Sequence, residues 1–308
     1  MKINRTQWTV ILAFAAVYII WGSTYIALLI GIQSIPPFLL SALRFLFAGI
    51  ILFAWCLAKR EKLPSAKSIR INSIAGTLTL FGGTVSVAWA EQYISTSLAA
   101  IIVTAVPFWF IILDKKQWSF YFNNKSIIAG LIIGFAGVII LVGFDKTNSV
   151  NSTPHNQLAG ALAVVAGGIS WTSGSLFAKY RSTGSPLFVN TSLQLLAAGV
   201  FSLLVSFLSG EWKGFSFSVV TTNAWLALFY LATMGSIVAF SCYLFLLKVR
   251  PPALVSTYVY VNPIVALLLG AIFVNEPVTW VKILALTIIL GGVLLVNLSK
   301  YRTAKKTA

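Results

Sequence analysis

The chain of 308 residues is 58% hydrophobic and only 9% charged, whereas a soluble domain carries about 25% charged residues. This composition excludes an ordinary soluble globular protein and indicates a chain whose surface faces lipid. The net charge of +16 is scattered over short connectors rather than gathered on one face, which argues against a nucleic-acid partner. An anionic membrane leaflet is the expected counterpart.

Ten apolar stretches follow one another along the chain. Each approaches the ~20 residues that a helix needs to cross a ~30 Å hydrocarbon core. Each is also continuous rather than alternating, so helices are predicted in preference to strands. The predicted fold is therefore all-α and integral to the membrane, with ten transmembrane helices. They cover about residues 8–30, 37–58, 71–91, 94–113, 126–144, 157–179, 186–208, 223–247, 253–274 and 280–298.

The orientation of these helices is predicted from the connectors between them. Of the twenty-two Lys and Arg residues, eighteen lie at the two chain ends and in alternate connectors. The other connectors contain only Lys146, Lys213 and Lys282, and Arg44 lies inside the second stretch. Because cytoplasmic loops carry the excess of basic residues, both termini are predicted to be cytoplasmic.

An internal repeat appears when the sequence is shifted by 150 positions. Nine residues then meet identical residues, including Trp21 with Trp171, and a shift of 156 brings Pro107 onto Pro263. Five helices per copy is an odd number, so the second copy enters the membrane from the opposite side, as in many transporters. The predicted parts are a first repeat (1–145), an external linker (146–156), a second repeat (157–299) and a basic cytoplasmic tail (300–308).

Four motifs carry a resemblance to a known family: "YIIWGSTY", "PPFLLSALRFLFAG", "ISWTSGS" and "PPALVSTYVYVNPIVALLLGAIFVNEP". They resemble the EamA branch of the drug/metabolite transporter superfamily, and most nearly its YedA-like inner-membrane exporters. The resemblance implies a ten-helix exporter of small metabolites or drugs in a bacterial inner membrane. It also implies a central cavity between the first, third, fourth, sixth, eighth and ninth helices.

Two departures from the family pattern bear on the substrate. Many members carry an acid after helix four that matches Glu276 after helix nine, but here that stretch reads "DKKQWSFYFNN", so a role for a symmetric acid pair is not expected. The small multidrug resistance relatives use an acid in their first helix to hold cations and protons, and residues 8–30 contain none. Lipophilic cations are therefore disfavoured as substrates.

Aromatic residues are the first candidates for the walls of a substrate cavity. Trp21 and Tyr25 are four residues apart and share a helix face, as do their repeat mates Trp171 and Ser175. We predict that they face each other and stack on an apolar or aromatic substrate, although simple helix packing is the alternative. Trp89, near the end of the third stretch, is placed in the same set.

Arg44 is the most prominent polar candidate. It lies eight residues into the second stretch, which at ~1.5 Å per residue is roughly 12 Å from the outer end. A guanidinium at that depth is predicted to hold a substrate carboxylate or carbonyl, or to act as a latch between repeats. The alternative is an Arg bonded to helix-end carbonyls or snorkelling to the interface. Its repeat mate is Gln194, which carries no charge.

Two proline-containing segments are candidates for binding and gating. Tyr258 and Asn262 share a face just before Pro263, and Thr104 and Pro107 hold the analogous place in the fourth stretch. Proline removes a backbone hydrogen bond, so both helices are predicted to kink and to free a carbonyl for substrate or for movement. A static kink satisfied by a neighbouring hydroxyl is the alternative.

Glu91 closes the third stretch and is a candidate for proton coupling, because a partly buried carboxyl group there can exchange a proton during transport. The alternative is a hydrated helix-end residue. No metal site is expected from His155 and two separated cysteines, Cys56 and Cys242. No cofactor is expected either.

The predicted function is secondary active transport by alternating access, with export of small neutral or zwitterionic, amino-acid-like metabolites or of amphipathic drugs. An uncoupled facilitator or exchanger, or a lipid-handling membrane protein, is the alternative. An enzyme is not expected, because the chain contains neither a nucleophile with a base nor a "GxxxxGK[ST]" motif. The expected partners are a small-molecule substrate and membrane lipid, with protons as a candidate coupling ion and a monomer favoured.

Overall fold

A computed structural model of the chain describes residues 5–144, 152–181, 183–250, 255–256 and 258–304. Most of these residues lie in ten helices that we number α1 to α10, and a short helix, Trp118–Phe122, precedes α5. The ten are α1 (Arg5–Ile32), α2 (Pro37–Ala58), α3 (Ala66–Ala90), α4 (Thr96–Leu113), α5 (Lys125–Phe144), α6 (Pro154–Tyr180), α7 (Leu187–Leu208), α8 (Thr222–Val249), α9 (Tyr258–Val274) and α10 (Trp280–Ala304).

Seven of these helices, α1 to α4 and α6 to α8, are long and apolar enough to cross a membrane. The other three contain shorter apolar stretches, Lys125–Gly137, Val261–Val274 and Trp280–Gly292. Within the described ranges the chain forms helices and no strands, which confirms the all-helical prediction. Large apolar side chains cover the outside of the bundle, as expected when lipid is the solvent. Of the predicted linker (146–156) and tail (300–308), residues 146–151 and 305–308 lie outside the described residues.

Polar residues of the connectors cap the N-termini of four helices. The side chains of Ser65, Ser95, Thr153 and Thr221 each accept a hydrogen bond from a backbone N–H in the first turn of the following helix. A side chain in this position satisfies a donor that the helix itself leaves unpaired. These residues therefore fix where α3, α4, α6 and α8 begin.

Two carboxylates of the second half bind the starts of two helices in the first half. Glu211 accepts hydrogen bonds from the backbone N–H groups of Phe38 (3.0 Å) and Leu39 (2.8 Å) at the start of α2. Glu276 accepts from the backbone N–H groups and the hydroxyls of Thr96 and Ser97 at the start of α4. Negative charge is favourable at a helix N-terminus, so both contacts join the two halves at one end of the bundle.

Helices α3 and α8 each contain a π-helical stretch of nine residues, Thr77–Val85 and Leu231–Ala239. Both ends of the second stretch lie 154 positions after those of the first (231 − 77 = 154 and 239 − 85 = 154). Such wider turns often occur at functional sites. Both stretches border the central cavity described below.

Helix α4 is broken at Thr104 and Ala105, between the helical segments Thr96–Val103 and Val106–Leu113. Pro107 lies in the first turn of the second segment, where its missing N–H costs little. Pro263 lies inside α9. The hydroxyl of Thr104 donates to the carbonyl of Ile101 (2.5 Å) and so satisfies a carbonyl next to the break.

Helices α2 and α7 pack against each other through reciprocal contacts. A Cβ atom added to Gly49 would lie 2.8 Å from Cγ of Leu196, and one added to Gly199 would lie 2.8 Å from Cγ of Leu46. Helices α5 and α10 form a second close pair, in which a Cβ atom on Gly292 would lie 2.6 Å from the carbonyl oxygen of Gly130. Glycine is therefore required for the close approach of both pairs.

Candidate substrate cavity

A cavity of about 80 Å³ lies between α1, α2, α3, α4, α6, α8 and α9. We call it the central cavity. Its helices are those that the family resemblance implies, with α2 in addition through Arg44. Its lining is mostly apolar, and the polar side chains among it are Trp21, Thr24, Tyr25, Arg44, Thr84, Trp171, Ser236, Tyr258 and Asn262.

Six of the nine residues that sequence analysis proposed for substrate binding line this cavity: Trp21, Tyr25, Arg44, Trp171, Tyr258 and Asn262. The other three lie outside its lining. The ring of Trp89 packs edge-on against Tyr93 with centroids 4.9 Å apart, Thr104 lies at the break in α4, and the hydroxyl of Ser175 bonds to that of Tyr243 (2.8 Å).

Four rings form an aromatic cluster at one end of the cavity: Trp21, Trp171, Tyr243 and Tyr258. The Trp21 ring centroid lies 5.3 Å from that of Trp171, 5.1 Å from Tyr243 and 4.9 Å from Tyr258. Edge-to-face contacts at these distances are favourable beyond the area that they bury. The two repeat-related tryptophans therefore contact each other directly and form one wall rather than two separate walls.

Hydrogen bonds hold the aromatic cluster in place. The indole N–H of Trp21 donates to the carbonyl of Gly235 in the π-helical stretch of α8 (3.1 Å). The indole N–H of Trp171 donates to the hydroxyl of Tyr243 (3.1 Å), which also bonds to Ser175. Buried indole and phenol groups need such partners, so the orientation of each ring is fixed at both its edge and its polar atom.

Sequence analysis missed Tyr243, which is fully buried and contacts the other three rings. A signal for it exists, because a shift of 154 between α3 and α8 aligns Tyr243 with Trp89. Trp89 was predicted to line the cavity, whereas the tertiary structure brings Tyr243, the residue aligned with it, into the aromatic cluster. The 150-residue shift alone does not reveal this pair.

Close backbone approach at two glycines also shapes the wall of the cavity. A Cβ atom added to Gly83 would lie 2.8 Å from Cε3 of Trp171, and one added to Gly235 would lie 3.1 Å from a terminal guanidinium nitrogen of Arg44. Both glycines belong to the π-helical stretches. Glycine at these positions leaves room for the Trp171 and Arg44 side chains.

Arg44 is only 4% exposed. Its Nε donates to the hydroxyl of Ser236 (2.8 Å), which itself donates to the carbonyl of Leu231 (2.9 Å). The guanidinium also lies over the ring of Phe45, 4.9 Å from the centroid. In the described part of the chain no carboxylate forms an ion pair or a hydrogen bond with it, so this buried charge faces the cavity without an acidic partner.

The repeat mate of Arg44 does not face it. Gln194 is 2% exposed and its amide donates to the side-chain oxygen of Asn72 (2.9 Å), away from the central cavity. Arg44 and Gln194 therefore lie in two different environments, although they occupy equivalent sequence positions.

Asn262 lies beside the aromatic cluster and ties α9 to α1. With its amide oriented to satisfy both neighbours, the nitrogen donates to the carbonyls of Tyr18 (3.1 Å) and Tyr258 (3.0 Å). Asn262 is buried and comes directly before Pro263. The amide thus supports the proline-containing turn, whose backbone lacks one N–H donor.

Glu91 follows α3 and is 1% exposed. Neither of its carboxylate oxygens has a hydrogen-bond partner among the described residues. The nearby Glu276, in contrast, has four donors at the start of α4. A buried polar group without a partner is rare and costly, so Glu91 is the candidate acid for an exchangeable proton.

Comparisons with known proteins agree with this architecture. The family model described as "EamA-like transporter family" matches residues 7–143 and 158–298. The uncharacterized inner membrane transporter YedA of Escherichia coli is 36% identical over 291 residues, which cover 94% of this chain and 90% of that protein. The uncharacterized transporter YvbV of Bacillus subtilis is 24% identical over 315 residues, covering 100% and 96%.

A solved crystal structure shares the fold. It aligns with a TM-score of 0.67 at 23% sequence identity and covers 97% of this chain and 99% of that chain. The family, the apolar helices and the relative named as an inner membrane transporter confirm the predicted family and the predicted location. The chain belongs to the EamA-like transporter family and is a multi-pass protein of the inner membrane.

Proposed function

We propose that this protein is a secondary active transporter that exports small neutral or zwitterionic, amino-acid-like metabolites or amphipathic drugs by alternating access. The observation that carries the proposal is the central cavity, which combines an aromatic cluster with one buried guanidinium. A substrate with an apolar body and a single carboxylate matches both parts of this lining. No catalytic step is proposed.

The proposal includes ten transmembrane helices in two inverted repeats, 1–145 and 157–299, with both termini in the cytoplasm. The family model matches two separate stretches of the chain, and the π-helical stretches correspond at a constant shift. The reciprocal contacts of Gly49 and Gly199 are those expected of a pseudo-two-fold axis. Two similar halves provide the two packings that alternating access requires.

Arg44 binds the substrate carboxylate in this proposal. Its fixed Nε contact with Ser236 holds the guanidinium at the cavity wall, and a planar fork of donors suits a carboxylate. The rings of Trp21 and Tyr258 cover the apolar part of the substrate. Binding would then depend more on one charge and on stacking than on a complete set of polar contacts.

Glu91 couples transport to protons in this proposal, as a buried carboxyl group that lacks partners. The second candidate is an uncoupled facilitator or exchanger, which is favoured by the absence of any described acid in the lining of the central cavity. A lipid-handling role has no such observation in its support. We favour a monomer, because the close glycine contacts of α5 and α10 lie within one chain.

The test is counterflow uptake of labelled amino acids and amphipathic drugs into proteoliposomes, with and without an imposed pH gradient. Accumulation that follows the gradient, and that the Glu91→Gln variant loses while it still exchanges substrate, supports coupled transport. Gradient-independent exchange in both proteins supports the facilitator. The transport proposal fails if no member of the panel moves.

A further inference from the structure

A second cavity, of about 700 Å³, lies at the end of the bundle where α6 and α8 end and α7 begins. Its lining shares no residue with that of the central cavity. The lining residues are Ile71, Asn72, Ala178, Lys179, Tyr180, Arg181, Thr183, Gly184, Ser185, Leu187, Asn190, Gln194, Leu244, Leu247 and Lys248. In the proposed orientation this end of the bundle faces the cytoplasm.

Three cations line the second cavity, Lys179, Arg181 and Lys248, and no acidic residue is among its described lining. The ammonium of Lys179 donates to the carbonyls of Leu247 (2.8 Å) and Arg250 (3.3 Å), which fixes its charge at the end of α8. Arg181 and Lys248 are exposed at the rim. The neighbouring Asp114 accepts a hydrogen bond from Tyr180 (2.8 Å) rather than from these cations, so the cavity is positively charged.

Amide groups form the inner wall. Gln194 donates to Asn72 (2.9 Å), and Asn72 donates to Asn190 (2.8 Å). The side-chain oxygen of Gln194 is buried and has no partner among the described residues. An unpaired acceptor in the wall of a cationic cavity fits a ligand that carries an N–H donor as well as a negative group.

The opposite end of the bundle has no equivalent of this lining. The 150-residue shift pairs Lys179, Ser185 and Asn190 with Leu29, Ile35 and Leu40, and the 154-residue shift pairs Lys248 with Ile94. Ile35, Leu40 and Ile94 are buried among apolar neighbours. The polar cavity is therefore a feature of one end only and is not a by-product of the repeat.

The linings of the two cavities share no residue, and the aromatic cluster belongs to the side of the central cavity. Trp21, Trp171 and Tyr258 line the central cavity, whereas Leu244 and Leu247 line the second. Tyr243 lies between them, fully buried and bonded to Trp171 and Ser175. Tyr243 thus packs against the aromatic lining of the central cavity, and the next residue of α8, Leu244, lines the second cavity.

We propose that the second cavity is a separate binding site for a zwitterion of amino-acid size, which binds there before it passes the aromatic cluster. Arg181 and Lys248 receive the carboxylate, and the side-chain oxygen of Gln194 receives the ammonium. This inference rests on the proposed transport function for its place in the transport cycle, but the binding itself is measurable without transport.

The test is equilibrium dialysis of the purified full-length protein in neutral detergent, with labelled leucine as the probe. In the double variant Arg181→Gln/Lys248→Gln we expect leucine binding about tenfold weaker, because two partly exposed cation contacts are lost. The matched control is Lys62→Gln/Lys67→Gln, which removes the same charge from exposed positions at the same end, outside the lining, and keeps wild-type binding.

Two analogues separate the parts of the site. Leucinamide lacks the carboxylate, and its binding is expected to be insensitive to the double variant. The acid 4-methylpentanoate lacks the ammonium, so Gln194→Met should weaken leucine binding but leave that of 4-methylpentanoate unchanged. Inorganic phosphate is expected to compete poorly. Competition by phosphate that equals competition by 4-methylpentanoate would instead indicate a general anion or lipid-headgroup site and overturn the proposal.

The remaining outcomes are also decisive. Absence of leucine binding to the wild type, or equal binding by the wild type and the double variant, overturns the second site. To exclude the central cavity as the source of the signal, the double variant is repeated in an Arg44→Gln background, where the same loss is expected. Leucine binding without counterflow of any member of the panel would contradict the transport proposal and leave the second site standing.

Discussion

Replacement of Arg44 by glutamine tests the charge of the central cavity, because glutamine is the residue at the equivalent position of the second half. Arg44 is 4% exposed, so a carboxylate bound to it is poorly screened by solvent. A charge-assisted hydrogen bond contributes about 1.5–3 kcal/mol, and each 1.4 kcal/mol is a factor of ten. We therefore expect the KM for leucine to rise roughly 10- to 100-fold in Arg44→Gln.

The assay is counterflow in proteoliposomes, with leucine compared with leucinamide, which has no carboxylate. Transport of leucinamide should change by less than about threefold, because it makes no ionic contact with Arg44. Arg44→Lys keeps the charge but loses the planar fork, so its KM for leucine should lie between those of the wild type and Arg44→Gln. An equal loss for both compounds, or none for leucine, would refute carboxylate binding by Arg44, and thermal unfolding checks that the variants are folded.

Three further predictions concern stability and are read from thermal unfolding of the purified protein. Tyr243→Phe removes a buried hydroxyl and leaves an indole N–H unpaired, so we expect the protein to be less stable by about 1–3 kcal/mol. An unchanged unfolding temperature would contradict this prediction. Gly49→Ala should destabilise by about 1–3 kcal/mol through overpacking between α2 and α7, whereas Gly291→Ala, with nothing within 4 Å of the added carbon, should be neutral or stabilising. Glu276→Gln replaces a carboxylate that accepts from four donors, and we expect the free energy of unfolding to fall by about 1.5–3 kcal/mol. A variant as stable as the wild type would show that this cap contributes little.

Part of the lining of the central cavity was predicted from the sequence, because the first and sixth stretches can be compared residue by residue. Trp21 and Trp171 are related by the 150-residue shift and lie too deep for interfacial anchors, so their place at the cavity followed from sequence. The position of Arg44 at the cavity was predicted from its depth in the second stretch. Trp89, Thr104 and Ser175 were also selected, but none of them lines the cavity. Ser175 shares a helix face with Trp171 but lies one turn further along α6, where its hydroxyl bonds to Tyr243.

The remaining contacts could not be predicted because they join residues far apart in the chain. Arg44 bonds to Ser236, which is 192 positions away, and Glu276 binds the start of α4 at a separation of 180. Such pairings depend on which helices are neighbours and on their relative rotation. Neither quantity is encoded in the length or the period of one apolar stretch.

The sequence by itself determined the class of protein, the family and the internal repeat, because composition, span length and motif spacing are local properties of the chain. Only the tertiary structure decided that Tyr243 rather than Trp89 joins the aromatic cluster, and that Arg44 and Gln194 lie in two different cavities. The physical reason is that membrane helices such as α1 and α2 carry large apolar side chains on the exposed side as well as on the buried side. Their periodicity therefore does not identify the inward face, and close packing at glycine and a few polar contacts select it instead.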